Sequence, residues 1–200
     1  ELLRTGVVAE FAESMGKVTE MASNNEGFDW QGRDPKKDEN FGTLAVSTDY
    51  GRAVGWQFVQ GRDFSRDIAS DSLGMIINES AAKVMGLKEP VGADITWTWW
   101  MDRTAKALHY KILGVVKDMI MQSPYENTRP TVFYQKGFNG GYDWMLVKVK
   151  PGVFMHEALP KIEAVMKKRI PSAPFDYKFA DEGYAIKFAS GKRISKLAGF

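Results

Sequence analysis

The chain lacks cysteine altogether and has only two histidines among its 200 residues. The absence of cysteine excludes a disulfide framework, a thiolate nucleophile and a cysteine-ligated zinc site. An excess of one charge is also lacking, because 27 basic residues face 25 acidic ones and leave a formal net charge of +2. Nucleic-acid binding depends on a concentrated basic surface. We therefore expect no nucleic-acid partner.

Long hydrophobic runs are missing as well. The apolar run Ile112–Val116 is far shorter than the roughly 18 residues that indicate a transmembrane helix. With 44% hydrophobic and 26% charged residues, the composition is that of an ordinary globular domain. The chain begins at Glu1 without an initiating methionine or a signal-peptide pattern. These features predict a folded, soluble domain that was cut from a larger protein.

Motifs for phosphate or metal chemistry are incomplete. Gly191-Lys192 is followed by Arg193, whereas a Walker loop needs serine or threonine after the lysine. His156-Glu157 opens like the helix of a zinc protease, but Pro160 occupies the position of the second histidine. His109 has no sequence neighbour to activate. The sequence therefore predicts no catalytic residue, no cofactor and no metal site.

Two carboxylate pairs, Asp181 with Glu182 and Asp63 with Asp67, keep a hydrolase open as an alternative. Such an enzyme requires an acid and a base that converge in a cleft and have displaced pKa values. A structural role is favoured for Asp181, because it stands where a predicted strand is followed by the last helix. We interpret Asp181 as a helix cap.

A strand followed directly by a short helix is predicted in the middle of the chain. Met75–Ile77 is apolar and rich in β-formers. Asn78 can accept the first free amides of a helix, and Gly86 can end that helix. Towards the N-terminus, Thr43–Ser47 reads as a buried strand, while Val7–Ala12 fits either a strand or an amphipathic helix.

Stretches of polar residues, glycine and asparagine between strand-like segments predict one loop and two hairpins. Residues 23–40 are polar and read as an exposed loop. Residues 95–99 alternate in polarity ahead of the apolar run Tyr110–Val116, which predicts the first hairpin. Thr131–Gln135 and Trp144–Lys150 flank a glycine-rich stretch, which predicts the second hairpin.

The last third of the chain shows helical spacing twice. Ala158–Met166 predicts a helix that ends before Pro171, and Pro160 favours a later start or a kink. Phe175–Phe179 alternates as a strand does. Glu182–Phe200 carries apolar residues at helical intervals and predicts a last helix.

Three tryptophans, Trp97, Trp99 and Trp100, are the candidate contacts for a partner or a ligand. Their aromatic faces suit a sugar-stacking platform, which makes a glycan- or lipid-binding module the alternative function. The alternation places Trp97 and Trp99 on one face of the strand with Ile95, as in a packed hairpin. Core packing or partner contact is the favoured interpretation.

An ordered string of short motifs runs along most of the chain. It resembles the MacB-like periplasmic core domain of FtsX-family ABC transporter permeases. The segments that carry the resemblance are Gly61-Arg62-Asp63-Phe64-Ser65, Ile76-Ile77-Asn78-Glu79-Ser80-Ala81-Ala82, Met85-Gly86, Pro90-Val91-Gly92, Ile112-Leu113-Gly114-Val115-Val116-Lys117-Asp118, Gln122-Ser123-Pro124, Arg129-Pro130, Pro174-Phe175 and Asp181-Glu182.

The resemblance implies an α+β fold with two lobes. Residues 1–60 with 128–182 are expected to form a porter-like lobe with ferredoxin-like halves. A β-rich lobe of residues 61–127 is expected to be inserted into it. Residues 183–200 then form a juxtamembrane helix that leads into a missing transmembrane span.

The resemblance also implies a function that is not enzymatic. The chain is expected to be the periplasmic, extracytoplasmic domain of an inner-membrane permease. It is expected to transmit ATP-driven conformational change to substrates or partner proteins outside that membrane. The implied partners are a cognate ABC ATPase subunit, a second permease in a dimer, and an adaptor protein or a lipoprotein or peptide cargo.

Overall fold

A computed structural model describes residues 1–37, 39–98, 107–119, 121, 127–135 and 141–187. The fold is α+β, as predicted. The strands are β1 (Val8–Ser14), β2 (Ser23–Asn25), β3 (Phe28–Trp30), β4 (Phe41–Ala45), β5 (Phe58–Gly61), β6 (Gly74–Asn78), β7 (Asp94–Trp97), β8 (Leu108–Val116), β9 (Thr131–Tyr134) and β10 (Trp144–Val149). The helices are α1 (Tyr50–Val54), α2 (Glu79–Met85), α3 (Met155–Arg169), the 3-10 turns Leu2–Thr5 and Ala69–Leu73, and a helix over residues 180–187.

The large sheet has the strand order β2-β4-β9-β6-β8-β7-β3, and β5 pairs with β8 beside that path. The pairs β4–β9 and β6–β8 are parallel. Ile76 and Ile77 are adjacent on β6 and therefore point to opposite faces of the sheet. Both are fully buried, Ile77 in one apolar cluster and Ile76 in another. The large sheet thus has a core on each face.

The predicted strand and helix in the middle of the chain are confirmed. Asn78 ends β6, and its Oδ1 atom accepts a hydrogen bond from the Ala81 amide at 2.9 Å. Gly86 ends α2 in the left-handed conformation with φ of 66°, which glycine adopts without steric cost. The buried strand around Thr43–Ser47 is confirmed as β4.

The first predicted hairpin is confirmed, and the second is wrong. β7 and β8 are antiparallel neighbours, with Ile95 opposite Tyr110. β9 pairs with β4 and β6, whereas β10 pairs with β1. Every residue of β9 is buried, as expected for a strand with partners on both edges. A glycine-rich stretch favours a turn but does not specify which strands pair.

The small sheet consists of β1 and β10, which are antiparallel. The ambiguous segment at the N-terminus is therefore a strand. One face packs against α3 and the turn Leu2–Thr5 in a separate core. That core is built on Leu2, Val7, Val8, Ala158 and Ile162.

Three local predictions need correction. Residues 23–40 contain β2 and β3, which have only three residues each and so show no clear alternation. Residues 174–179 are not in a strand, because an alternating pattern specifies an extended segment and not a pairing partner. α3 begins at Met155, ahead of Pro160, and buries Ala158 and Ile162.

The division of the chain into two lobes at residues 61 and 127 stays a prediction. β6, β7 and β8 come from the proposed inserted lobe, and they share one sheet with strands from outside it. Among the helices in the described part of the chain, none has the length and apolar character that crossing a bilayer requires.

Candidate functional site

Several of the sequence motifs meet at one end of the large sheet. β6 and β8 are parallel, so their carboxyl ends lie at the same edge, where β9 begins. This arrangement brings the residues after β6 and β8 close to those before β9. We call the group formed by Asn78, Glu79, Ser80, Asp118 and Arg129 the motif corner.

Asn78 is the central residue of the motif corner. Its side chain is buried, and its Oδ1 atom accepts hydrogen bonds from the amides of Ala81 and Thr131, at 2.9 and 2.8 Å. Its Nδ2 atom donates to the Arg129 carbonyl oxygen at 2.9 Å. One amide side chain therefore joins α2 to the start of β9.

Asp118 fixes the segment that follows β8. Its two carboxylate oxygens accept hydrogen bonds from the amide and the hydroxyl of Ser80, at 3.1 and 2.6 Å. The Glu79 carboxylate in turn accepts the Asp118 amide at 3.3 Å. Bonds to ionised acceptors are stronger than neutral ones. The chain after β8 is thus held against the first turn of α2.

A lysine near the end of the described chain reaches the same segment. Lys187 lies in the helix of residues 180–187, which we call the docked helix. Its Nζ atom donates hydrogen bonds to the carbonyl oxygens of Thr19 and Met121, the latter at 2.8 Å. Burial lowers the pKa of Lys187. The docked helix is therefore bonded both to the β1–β2 connection and to the segment after β8.

The Gly61–Ser65 motif forms a second polar arrangement. Arg62 donates two hydrogen bonds to the Asp71 carboxylate, at 2.6 and 2.8 Å, and the Ser65 amide donates a third at 2.8 Å. Asp71 is only 1% exposed. The Arg62 hydrogen bonds hold the pKa of Asp71 below its usual range. The Asp71 carboxylate, near the end of the loop between β5 and β6, is therefore hydrogen-bonded to residues near the start of that loop.

Two of the four carboxylates weighed for an enzyme, Asp63 and Asp181, accept hydrogen bonds from the backbone. Burial raises the pKa of Asp63, whose Oδ1 atom accepts the Phe64 amide at 2.8 Å. The nearby Asp49 is paired with Arg52 and Arg66. The capping prediction for Asp181 is wrong, because the docked helix has already begun at residue 180 and the Asp181 carboxylate accepts the amide of the adjacent Glu182 at 3.0 Å.

The two histidines lie in ordinary surroundings. The Nδ1 atom of His109 on β8 is 3.4 Å from the Thr96 hydroxyl. His156 is exposed in the first turn of α3 and stacks on Phe154, with ring centres 5.6 Å apart. Within the described ranges, no group of three or more histidine, aspartate or glutamate residues is arranged to hold a metal ion.

The structure places one of the three candidate tryptophans in the core. Trp97 is 2% exposed and stacks on Phe28, with ring centres 4.8 Å apart. Its indole nitrogen donates to the Glu26 carbonyl oxygen at 3.2 Å. Trp97 therefore presents no open face to a ligand. Trp99 and Trp100 lie outside the described residues, and their contact with a partner stays a prediction.

Sequence reasoning missed two residues that organise these sites. Asp71 follows the Gly61–Ser65 motif by six residues, and an acidic residue downstream of an arginine in a loop is too common a pattern to single out. The acceptors of Lys187 are backbone carbonyl oxygens, which no side-chain pattern records.

The fold combines one mixed sheet with one small antiparallel sheet, and the two polar clusters brace loops of the mixed sheet through hydrogen bonds. The family model of the MacB-like periplasmic core domain matches residues 3–165 of the chain. The chain belongs to this family, as the string of motifs predicted. Its members are extracytoplasmic domains of ABC transporter permeases. No curated protein matches the chain.

Solved structures agree with the family assignment at the level of the fold. The periplasmic region of MacB from Actinobacillus actinomycetemcomitans has a TM-score of 0.55 at 15% identity, covering 82% of this chain and 68% of that one. A domain of a permease protein from Porphyromonas gingivalis has a TM-score of 0.53 at 18% identity, and the match covers 81% of this chain and 70% of that one. The extracellular domain of the noncanonic ABC-type transporter YknZ from Gram-positive bacteria has a TM-score of 0.58 at 14% identity, and the match covers 86% of this chain and 81% of that one.

Proposed function

We propose that this domain passes ATP-driven conformational change in an ABC transporter permease to substrates or partner proteins outside the inner membrane. The membership in the MacB-like family supports this function. The observation that carries it is the pair of hydrogen bonds from Lys187 to Thr19 and Met121. They connect the docked helix to the body of the domain.

A mechanical connection runs from these bonds into the large sheet. Met121 lies three residues beyond Asp118, which is bonded to Ser80 in α2. α2 follows β6 directly, and Asn78 ties both to β9. Packed side chains and hydrogen bonds between rigid elements are the means by which proteins carry displacement over distance. A shift of the docked helix is therefore passed to the motif corner.

The partners follow from the same proposal. A cognate ABC ATPase subunit supplies the energy, and a second permease completes a dimer. The substrate or partner outside the membrane is an adaptor protein, or a lipoprotein or peptide cargo. Trp99 and Trp100 are proposed as contacts for that partner, because they follow β7 where it leaves the core at Trp97.

The permease assignment is tested by affinity purification of the full-length parent from membranes, followed by mass spectrometry. We expect an ABC ATPase subunit to copurify. A parent protein that carries no transmembrane span and brings no ATPase contradicts the proposal.

The partner contact is tested with a photoreactive amino acid in place of Trp99 or Trp100. The matched control carries the same amino acid at Trp144, a tryptophan on β10 that is 38% exposed. We expect cross-links to a partner protein from positions 99 and 100 and none from 144. Equal cross-linking from all three positions contradicts a specific contact.

A further inference from the structure

We propose that the docked helix is a detachable clamp that holds the β1–β2 connection against the segment after β8. Lys187 and Gly183 contribute to fastening it. The use of this clamp in transport rests on the proposed function, whereas the docking itself is a property of the chain.

Lys187 forms the polar half of the clamp. Thr19 and Met121 lie in different connections, and the lysine ammonium bonds to a backbone carbonyl oxygen of each. Both residues are buried, with exposures of 4%. One side chain of the docked helix thus ties two loops together.

Gly183 forms the steric half of the clamp. A β-carbon at this position would lie 2.9 Å from the Thr19 hydroxyl oxygen and 3.1 Å from its methyl carbon. Thr19 is buried and β-branched, so its side chain has little freedom to move away. The docked helix therefore needs glycine where it crosses Thr19. Gly183 and Lys187 are four residues apart and lie on the same face of the helix.

Two features make the docking reversible. The lysine loses solvation when it docks, and its lowered pKa reflects that loss. Residues 170–179, which lie in no helix or strand, separate the docked helix from α3, so the order of its described residues depends on the contacts of one face. Ile186, three residues after Gly183 and at the margin of that face, is 71% exposed. The docked and undocked states therefore differ by only a few contacts. An element that switches between two states requires such a small difference.

The clamp is tested by hydrogen exchange with mass spectrometry on the whole 200-residue chain. We expect Lys187→Met to speed amide exchange by about 2- to 10-fold around Thr19 and Met121 and in the docked helix, the factor for the net loss of one hydrogen bond of ordinary strength. The matched control is Lys178→Met at an exposed lysine. Exchange in β6 reports whether the fold is intact.

Gly183→Ala gives an independent test, because the expected effect on the helix is opposite to the usual effect of this substitution. Alanine is a better helix former than glycine, so this change ordinarily stabilises a helix. Here we expect it to undock the helix and to reproduce the faster exchange of Lys187→Met. Ile186→Ala, at an exposed position of the same helix, serves as the control.

A disulfide restores the clamp without the lysine. The β-carbon positions of residues 19 and 183 lie 3.3 Å apart, close to the 3.5–4.5 Å that a disulfide spans. The chain has no cysteine of its own. We expect Thr19→Cys with Gly183→Cys to cross-link on oxidation and to slow exchange around Met121 in the Lys187→Met background.

The proposal is overturned if Lys187→Met and Gly183→Ala both leave exchange at Thr19 and Met121 unchanged. It is also overturned if the oxidised double-cysteine variant does not slow exchange at Met121. These results concern the isolated chain, so they are independent of whether an ATPase copurifies with the full-length parent. If the exchange experiments support the clamp but no ATPase copurifies, the clamp proposal holds and its role in transport is contradicted.

Discussion

Arg62 donates a hydrogen bond to each carboxylate oxygen of Asp71, at 2.6 and 2.8 Å. The carboxylate is buried, while 45% of the arginine side chain remains exposed. We expect Arg62→Ala to lower the free energy of unfolding by about 1–3 kcal/mol, because it leaves a buried charge without its main partner. Urea unfolding measures the change.

The exposed ion pair of Lys111 and Asp94 provides the control. Lys111→Ala should cost about 0–1 kcal/mol, as surface pairs do. Equal losses from the two changes would mean that burial of Asp71 adds nothing to its pairing with Arg62.

The same pair sets a pH dependence. Hydrogen bonds from Arg62 are the main cause of the lowered pKa of Asp71 in the folded chain. The pair therefore contributes its full stability above the ordinary pKa of aspartate, about 3.9. That contribution is lost as the pH falls further through the lowered pKa.

Unfolding free energies of the unmodified chain and of Arg62→Ala, measured between pH 2 and 6, test this expectation. The difference between the two proteins should shrink as the pH falls. A constant difference across the range would refute the assignment of the pH dependence to this pair.

Asn78 makes three hydrogen bonds that no other residue of the motif corner replaces. We expect Asn78→Ala to cost about 1–3 kcal/mol, from the lost helix cap and from buried groups left unpaired. Thermal and urea unfolding report the loss. Asn24→Ala, at an exposed position of β2, is the matched control and should be nearly neutral.

A substitution at Tyr50, unlike those at Arg62 and Asn78, is not expected to lower the free energy of unfolding. The Tyr50 side chain is fully buried, and among the described residues its hydroxyl finds no hydrogen-bond partner. We expect Tyr50→Phe to keep or raise stability, by up to about 1–3 kcal/mol, since it removes an unpaired buried polar group. The Tyr142 hydroxyl bonds to the carbonyl oxygens of Val46 and Gln135.

Tyr142→Phe is therefore the matched control and should lose about 0.5–1.5 kcal/mol. A loss of the same size from Tyr50→Phe would show that the Tyr50 hydroxyl is paired in solution.

The docked helix should bind more tightly as the pH rises. Burial lowers the pKa of Lys187, and the nearby Lys17 adds to that lowering while Glu20 opposes it. The docked state therefore holds fewer protons than the undocked state, up to the ordinary lysine pKa of about 10.4. By linkage, docking strengthens with pH through that window.

A spin label attached through Ile186→Cys measures this directly, because that position is exposed. The label should become less mobile in the unmodified background as the pH rises towards the ordinary lysine pKa of about 10.4. With Lys187→Met added, its mobility should be high and independent of pH. A label that becomes more mobile as the pH rises contradicts the linkage.

Local units could be predicted from the sequence, and long-range pairing could not. The β6–α2 unit and the β7–β8 hairpin have their cap, turn and alternation within a short stretch of chain. The pairing of β10 with β1 joins Trp144–Val149 to a strand near the N-terminus. Alternation fixes which face of a strand is buried but leaves its neighbour undefined.

The candidate site divides in the same way. Asn78 was identified as a cap because its side chain acts on the next turn of its own chain. The bond from Lys187 to Met121 spans 66 residues and ends on a carbonyl oxygen. Such a contact depends on the completed fold, so no local pattern announces it.

In the proposed function, ATP-driven movement reaches this domain. Electron paramagnetic resonance between spin labels at Lys83, an exposed residue of α2, in the two copies of a full-length permease dimer tests it most directly. We expect the distance distribution to shift between the nucleotide-free and ATP-bound complexes, and to stay fixed when the ATPase subunit cannot bind ATP. Identical distributions with and without ATP would contradict the account.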